Sequence, residues 1–124
     1  MIATDRLRKA MREISSQKGD FTFFAILMRS DAPGTWDLVV AAPWLKQGNL
    51  KALSEFTTLL AKSIGEQSLL QFARIVTIDE LDPRLKSIVS KFHSIDDGAV
   101  RIQATDLFGL NIQDAIIMRA KPAA

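Results

Sequence analysis

The sequence predicts one α+β domain: a five-stranded mixed or antiparallel sheet with three helices, in the order α-β-β-α-β-α-β-β. Three observations carry that reading. Leu38–Ala42 is a short apolar run rich in β-branched side chains, without the alternation of a half-wet strand, so it suits a central strand covered on both faces. Three segments place apolar residues at helical spacing, and turn chemistry at Ser30–Thr35 joins two strand-like runs closely enough for an antiparallel hairpin. No repeat, low-complexity tract or linker divides residues 1–124.

The elements follow in order. In residues 4–18, Leu7, Ala10, Met11 and Ile14 make an amphipathic stripe that Thr4 or Asp5 starts and Gly19 ends. Phe21–Met28 is the first strand. The second, Trp36–Ala42, stops at Pro43, which lacks a backbone donor. Asn49 caps a second helix whose stripe is Leu50, Leu53, Phe56, Thr57, Leu60 and Ile64, with Gly65 as its stop. A right-handed crossover then sets the third strand, 72–78, parallel to 36–42, although a turn at 66–68 would allow an antiparallel placement.

Asp82-Pro83 opens a third helix with the stripe Leu85, Ile88, Val89 and Phe92. Residues 99–107 alternate, with Val100, Ile102 and Ala104 on the core side and Arg101, Gln103 and Thr105 on a wet side. An apolar linker, 108–113, leads to a last strand at 115–119, and 121–124 form a flexible tail. The inventory is similar to that of the profilin-like and PAS-like regulatory folds, with a different element order; such a likeness implies nothing about function.

Composition sets the bounds on function. With 48% hydrophobic and 24% charged residues the chain is globular. No apolar run reaches the ~20 residues of a bilayer span, and the first residues lack the apolar core of a signal peptide. The absence of cysteine excludes disulfides and thiolate chemistry and fits a reducing, cytoplasmic setting. A net charge of +2 does not require a polyanionic partner, but residues 1–18 carry +3 and the rest −1, so the excess lies in the first helix. Arg8, Lys9 and Arg12 are therefore the candidate nucleic-acid contacts; without interleaved aromatics a solvated face is the simpler reading.

Motifs for catalysis are missing. There is one histidine and no cysteine, and the glycines form no phosphate loop and no nucleophile elbow. His93 suits the C-terminal end of a helix better than a base without a positioned nucleophile. Asp79-Glu80-Asp82 and Asp96-Asp97 bracket a helix of about a dozen residues, about 15–18 Å long, too far apart to share a cation. Turns and N-caps explain each, so no metal and no cofactor is assigned.

What remains is a set of candidate ligand contacts. Arg29, Asp37, Arg74 and Arg101 lie on predicted strands, and arginine pairs bidentately with carboxylates and phosphates. Arg29 and Asp37 flank the hairpin turn as an exposed pair. Trp36 and Trp44 read first as core; of the two rims of the second strand, Trp44 before the helix is the better mouth of a site. The leading functional reading is a non-enzymatic regulatory or protein-interaction domain that self-associates, a homodimer through an edge strand beside 108–112. The alternatives are a nucleic-acid-associated protein and a small-molecule or enzymatic domain built on the strand arginines.

Overall fold

The computed structural model describes residues 4–92 and 95–121. Helix α1 (Thr4–Lys18) buries the expected stripe of Leu7, Ala10, Met11 and Ile14. It ends at Gly19, whose φ of +112° is open to glycine and whose N–H donates to the Ser15 carbonyl at 2.9 Å. Strands β1 (Phe23–Arg29) and β2 (Trp36–Ala41) form the antiparallel hairpin. Helix α2 (Leu50–Ile64) starts where the Asn49 side chain accepts the Ala52 N–H at 3.1 Å, and stops where the Gly65 N–H donates to the Ala61 carbonyl. One further turn, α3 (Glu66–Leu69), is a fourth helix that the sequence pattern does not announce. It reverses the chain so that β3 (Phe72–Thr77) runs parallel to β2, as the crossover requires.

Helix α4 (Pro83–Phe92) begins behind Asp82, which accepts the Arg84 N–H at 2.8 Å. Strands β4 (Val100–Leu107) and β5 (Leu110–Ala120) close the fold as a second hairpin. The sheet order is β3-β2-β1-β5-β4, mixed because only β2 and β3 are parallel. The middle strand is therefore β1 and not the 38–42 segment, because β5 returns to the far side of β1. Leu38–Ala42 is nonetheless buried throughout.

Alternation along the strands makes two cores. Phe24, Ile26, Leu38 and Val40 face α1 and α2, where Phe56 and Leu60 meet them. Phe23, Ala25, Leu27, Val39 and Ala41 face the other way, toward Leu85, Ile88 and Val89 of α4. One face thus has two long helices, the other a single helix of ten residues, about 15 Å long. That difference bears on the buried carboxylate described below.

Three expectations change. The apolar stretch 108–113 is not a linker: Phe108–Gly109 is a two-residue turn, and Leu110 and Ile112 already belong to β5. Both turn residues have positive φ, +55° and +74°, the geometry of the I′ hairpin turns. A phenylalanine tolerates it here because its ring is buried edge-on against Phe23, 5.8 Å between centroids, while Arg84 donates to its carbonyl. Second, the core side expected for β4 is largely wet. Val100 is 39% exposed, Ala104 is exposed and Ile102 half-buried, because α4 packs on β5 and β4 lies outside it. Third, Leu50 is 77% exposed, being the first residue of α2 and a turn ahead of Leu53, which does pack on the core.

Candidate functional site

The sheet carries a buried carboxylate. Asp37 lies on β2 directly opposite Leu27 of β1 and Arg74 of β3. Two residues before Val39, it points to the α4 face, beyond the reach of the short helix. Arginines cover it instead. Its Oδ2 accepts Arg29 Nε at 3.0 Å and Arg74 Nη2 at 2.9 Å, and the side chain is only 4% exposed. The hairpin pair anticipated as exposed is thus part of a three-strand cluster around a buried charge. Hydrogen bonding to Asp37 raises the Arg74 guanidinium above its usual pKa, outweighing desolvation. Asp37 Oδ1 is buried without a hydrogen-bond partner.

Arg29 connects this cluster to the surface. It also pairs with Asp31 at 3.4 Å and forms one wall of an open depression of about 460 Å³, shared with Ser30, Asp31, Gly109, Leu110 and Asn111. The Ser30 N–H donates to the Asn111 carbonyl at 2.9 Å, and Ser30 Oγ donates to Asn111 Oδ1 at 3.0 Å. These bonds tie the two hairpin turns into one rim. Chemically, the arrangement offers a fixed guanidinium, a hydroxyl, a carboxylate and an amide beside a shallow hollow.

The other two candidates are elsewhere. Arg101 pairs bidentately with Asp114 of β5, Nε to Oδ1 at 3.1 Å and Nη2 to Oδ2 at 2.6 Å. It stands opposite Ile116, which packs toward α1 and α2, so this pair lies on the reverse side of the sheet. Trp44 is not the mouth of a site. Its Nε1 donates to the Gly19 carbonyl at 2.9 Å and its ring meets Phe21 edge-on at 5.3 Å, so it closes the α1–β1 connection from beyond the opposite end of β2. Trp36 packs on the same core, as the first reading of the tryptophans has it.

The basic helix face is engaged within the chain. Arg8 Nε and Arg12 Nη1 reach the two Asp97 oxygens at 3.1 and 2.7 Å, Arg8 Nη2 donates to the Asp97 carbonyl, and Lys9 pairs with Glu13 at 3.8 Å. Burial pushes Asp97 up, but Arg12 and Arg8 together hold it below the ordinary carboxylate value. Asp96 is lowered by its hydrogen bond from Lys121 at 2.7 Å, and Arg119 adds to it from 3.2 Å. Asp97 and the buried Arg119 and Asp114 are not among the ligand contacts that the sequence suggests. An arginine at the end of an apolar strand was the only signal for Arg119, and an isolated acid inside an apolar stretch the only one for Asp114.

Asp79 accepts the Leu81 N–H and Asp82 caps α4, the turn and cap roles expected of that acidic cluster. Among the described residues no group of three or more His, Cys, Asp or Glu side chains could hold a metal ion. His93 lies outside the described residues, as do 122–124 of the expected tail. Among the described residues no helix is long and apolar enough to cross a membrane. No family model, curated protein or solved structure matches this chain.

Proposed function

We propose that this is a non-enzymatic protein-interaction domain that associates with a second copy of itself in the cytoplasm. The observation that carries the reading is strand β4. It is eight residues long, it ends the sheet, and of its side chains only Leu107 is buried. An edge strand of that length offers a row of backbone donors and acceptors to another strand, and Val100 and Leu110 add exposed apolar surface at the two ends of its hairpin. Arg101, its one basic residue, is held on Asp114.

A second reading keeps the Arg29–Asp37–Arg74 cluster as a small-molecule site, because Arg29 both bonds the buried Asp37 and lines the adjoining hollow. The nucleic-acid reading is weaker, since Asp97 already takes up Arg8 and Arg12. Sedimentation equilibrium or light scattering from micromolar to millimolar protein decides the first reading. The expected result is a concentration-dependent dimer; a strict monomer throughout removes it.

A further inference from the structure

We propose that β3 adds an extended segment of a partner protein as a further strand, antiparallel to β3 and with an acidic side chain opposite Arg74. The proposal goes beyond self-association and does not rest on it, since β3 and β4 are opposite ends of the sheet. The ladder to β2 fixes which backbone groups of β3 are free. The Ile78 N–H donates to the Val40 carbonyl at 2.9 Å, and Leu38, Val39 and Val40 stand opposite Ile75, Val76 and Thr77. Backbone groups alternate sides along an extended strand, so Val76 and Ile78 direct theirs to β2, and Ile75 and Thr77 direct theirs outward. No hydrogen bond among the described residues takes up those outward groups. The register shift between Trp36 and Asp37 leaves Ala73 outside the alternation, so the regular edge runs from residue 74 to 78.

An apolar helix flank stands beside that edge. Glu55 and Ser63 of α2 bond to Lys18 and Glu13 of α1, so this flank of α2 faces α1, which in turn lies toward β5, where Arg119 reaches Ser15. Leu53, Thr57 and Ala61 recur at helical spacing on the other flank, half-buried and without charge. Thr57 and Ala61 share an open depression of about 390 Å³ with Leu69 of α3. Leu53, Leu69 and the half-buried Ile75 pack on one core. Side chains directly opposite one another in a sheet share a face, so partner residues opposite Ile75 and Thr77 meet this wall.

Charge specifies the partner on the other face, where Arg74 and Val76 point toward α4. Two guanidinia share the single Asp37 carboxylate. Arg29 has Asp31 as a second anion, whereas Arg74 has no second anion among the described residues. Its side chain is 49% exposed, and only Nη2 is engaged by Asp37. A carboxylate on the added strand opposite Arg74 finds the remaining donors of that guanidinium unused. The fitting segment is therefore extended, apolar at the two positions that face α2, and acidic at the position that faces Arg74.

The test uses the intact chain and a fluorescein-labelled peptide, Ser-Val-Thr-Ile-Glu-Ser-Lys, whose Val and Ile lie opposite Thr77 and Ile75 and whose Glu lies opposite Arg74. Fluorescence polarisation should show saturable binding. N-methylation of the peptide Val or Ile, whose N–H groups turn toward β3, should weaken it about tenfold or more. N-methylation of the peptide Thr or Glu, whose N–H groups turn away, should leave it within about twofold. Replacing the peptide Glu by Gln should weaken binding, by a factor that shrinks as salt is added. Thr77→Pro removes one outward donor at a place where an edge strand tolerates proline, and should weaken binding as well; urea unfolding confirms that the variant folds. No saturable binding, equal loss from all four methylations, or indifference to the peptide Glu overturns the proposal. Loss of a sedimenting dimer in Thr77→Pro also overturns it, by giving this edge to a second copy. The alternating pattern in a protein that sediments as a monomer sustains the proposal while removing self-association.

Discussion

Two carboxylates are buried in this sheet, Asp37 and Asp114, and they are neutralised in different ways. Asp37 sits on β2, between β1 and the edge strand β3, and each neighbour sends one arginine to the same oxygen. Asp114 sits on β5, likewise between β1 and an edge strand, and a single arginine from that edge strand, β4, engages both of its oxygens. Asp37 has more cationic partners and fewer satisfied atoms, since its Oδ1 has none. Cation count is thus a poor measure of satisfaction. A fork approaching from the next strand matches a carboxylate edge to edge, whereas two guanidinia converging from opposite sides compete for one corner of it. The short α4 explains why the Asp37 arrangement is needed on its face: where no helix reaches, long arginine side chains supply the cover.

The largest effect expected from that contrast is at Asp37. Replacing Arg29 and Arg74 together by methionine leaves a buried charge without a counterion and should cost about 3–5 kcal/mol in urea unfolding. Adding Asp37→Leu to the same variant should recover most of the loss, because a well-packed apolar residue replaces a costly buried ion. A double-arginine variant of nearly wild-type stability would mean that Asp37 is solvated in solution.

Asp114 should respond less. Arg101→Met removes both bonds at once, but it removes the one guanidinium whose side chain is 60% exposed, and water can replace it. The expected loss is about 1–2 kcal/mol, measured by the same unfolding curves. A loss as large as that of the double variant would show that Asp114 is as cut off from water as Asp37, and would erase the distinction drawn between them.

The sequence made most of the framework legible because its signals are local. The stripe of α1, the Asn49 and Asp82 caps, the stops at Gly19 and Gly65 and the β2–β3 crossover each follow from a few neighbouring residues. The site was only partly legible. Arg29, Asp37 and Arg74 were named and do converge, but Arg101 alternates to the opposite face once β5 inserts between β1 and β4. Strand order depends on contacts distant in sequence, and no local pattern reports it. Trp44 misled for a related reason: its partner, the Gly19 carbonyl, belongs to a loop 25 residues away. The 108–113 stretch misled because a phenylalanine in a left-handed turn becomes acceptable only when Phe23 buries its ring.

The smallest effect concerns a third carboxylate, Asp97, which lies outside the sheet and joins the loop before β4 to α1 through Arg8 and Arg12. Its folded pKa lies below the ordinary value, the two guanidinia outweighing burial. A carboxyl depressed in the folded state binds fewer protons there than in the unfolded chain. Its contribution to stability is therefore complete above the unfolded pKa, near pH 4, and is lost as pH falls through the lower folded value. Asp96, lowered by Lys121 and Arg119, acts in the same direction and the same window. Urea unfolding below pH 4 should show stability falling with pH, and Arg8→Met with Arg12→Met should flatten that slope while leaving the Asp96 part in place. A slope unchanged in the double variant would assign the acid response to other carboxylates. Because Asp97 is about a third exposed, added salt should weaken this linkage more than it weakens the arginine cover over Asp37.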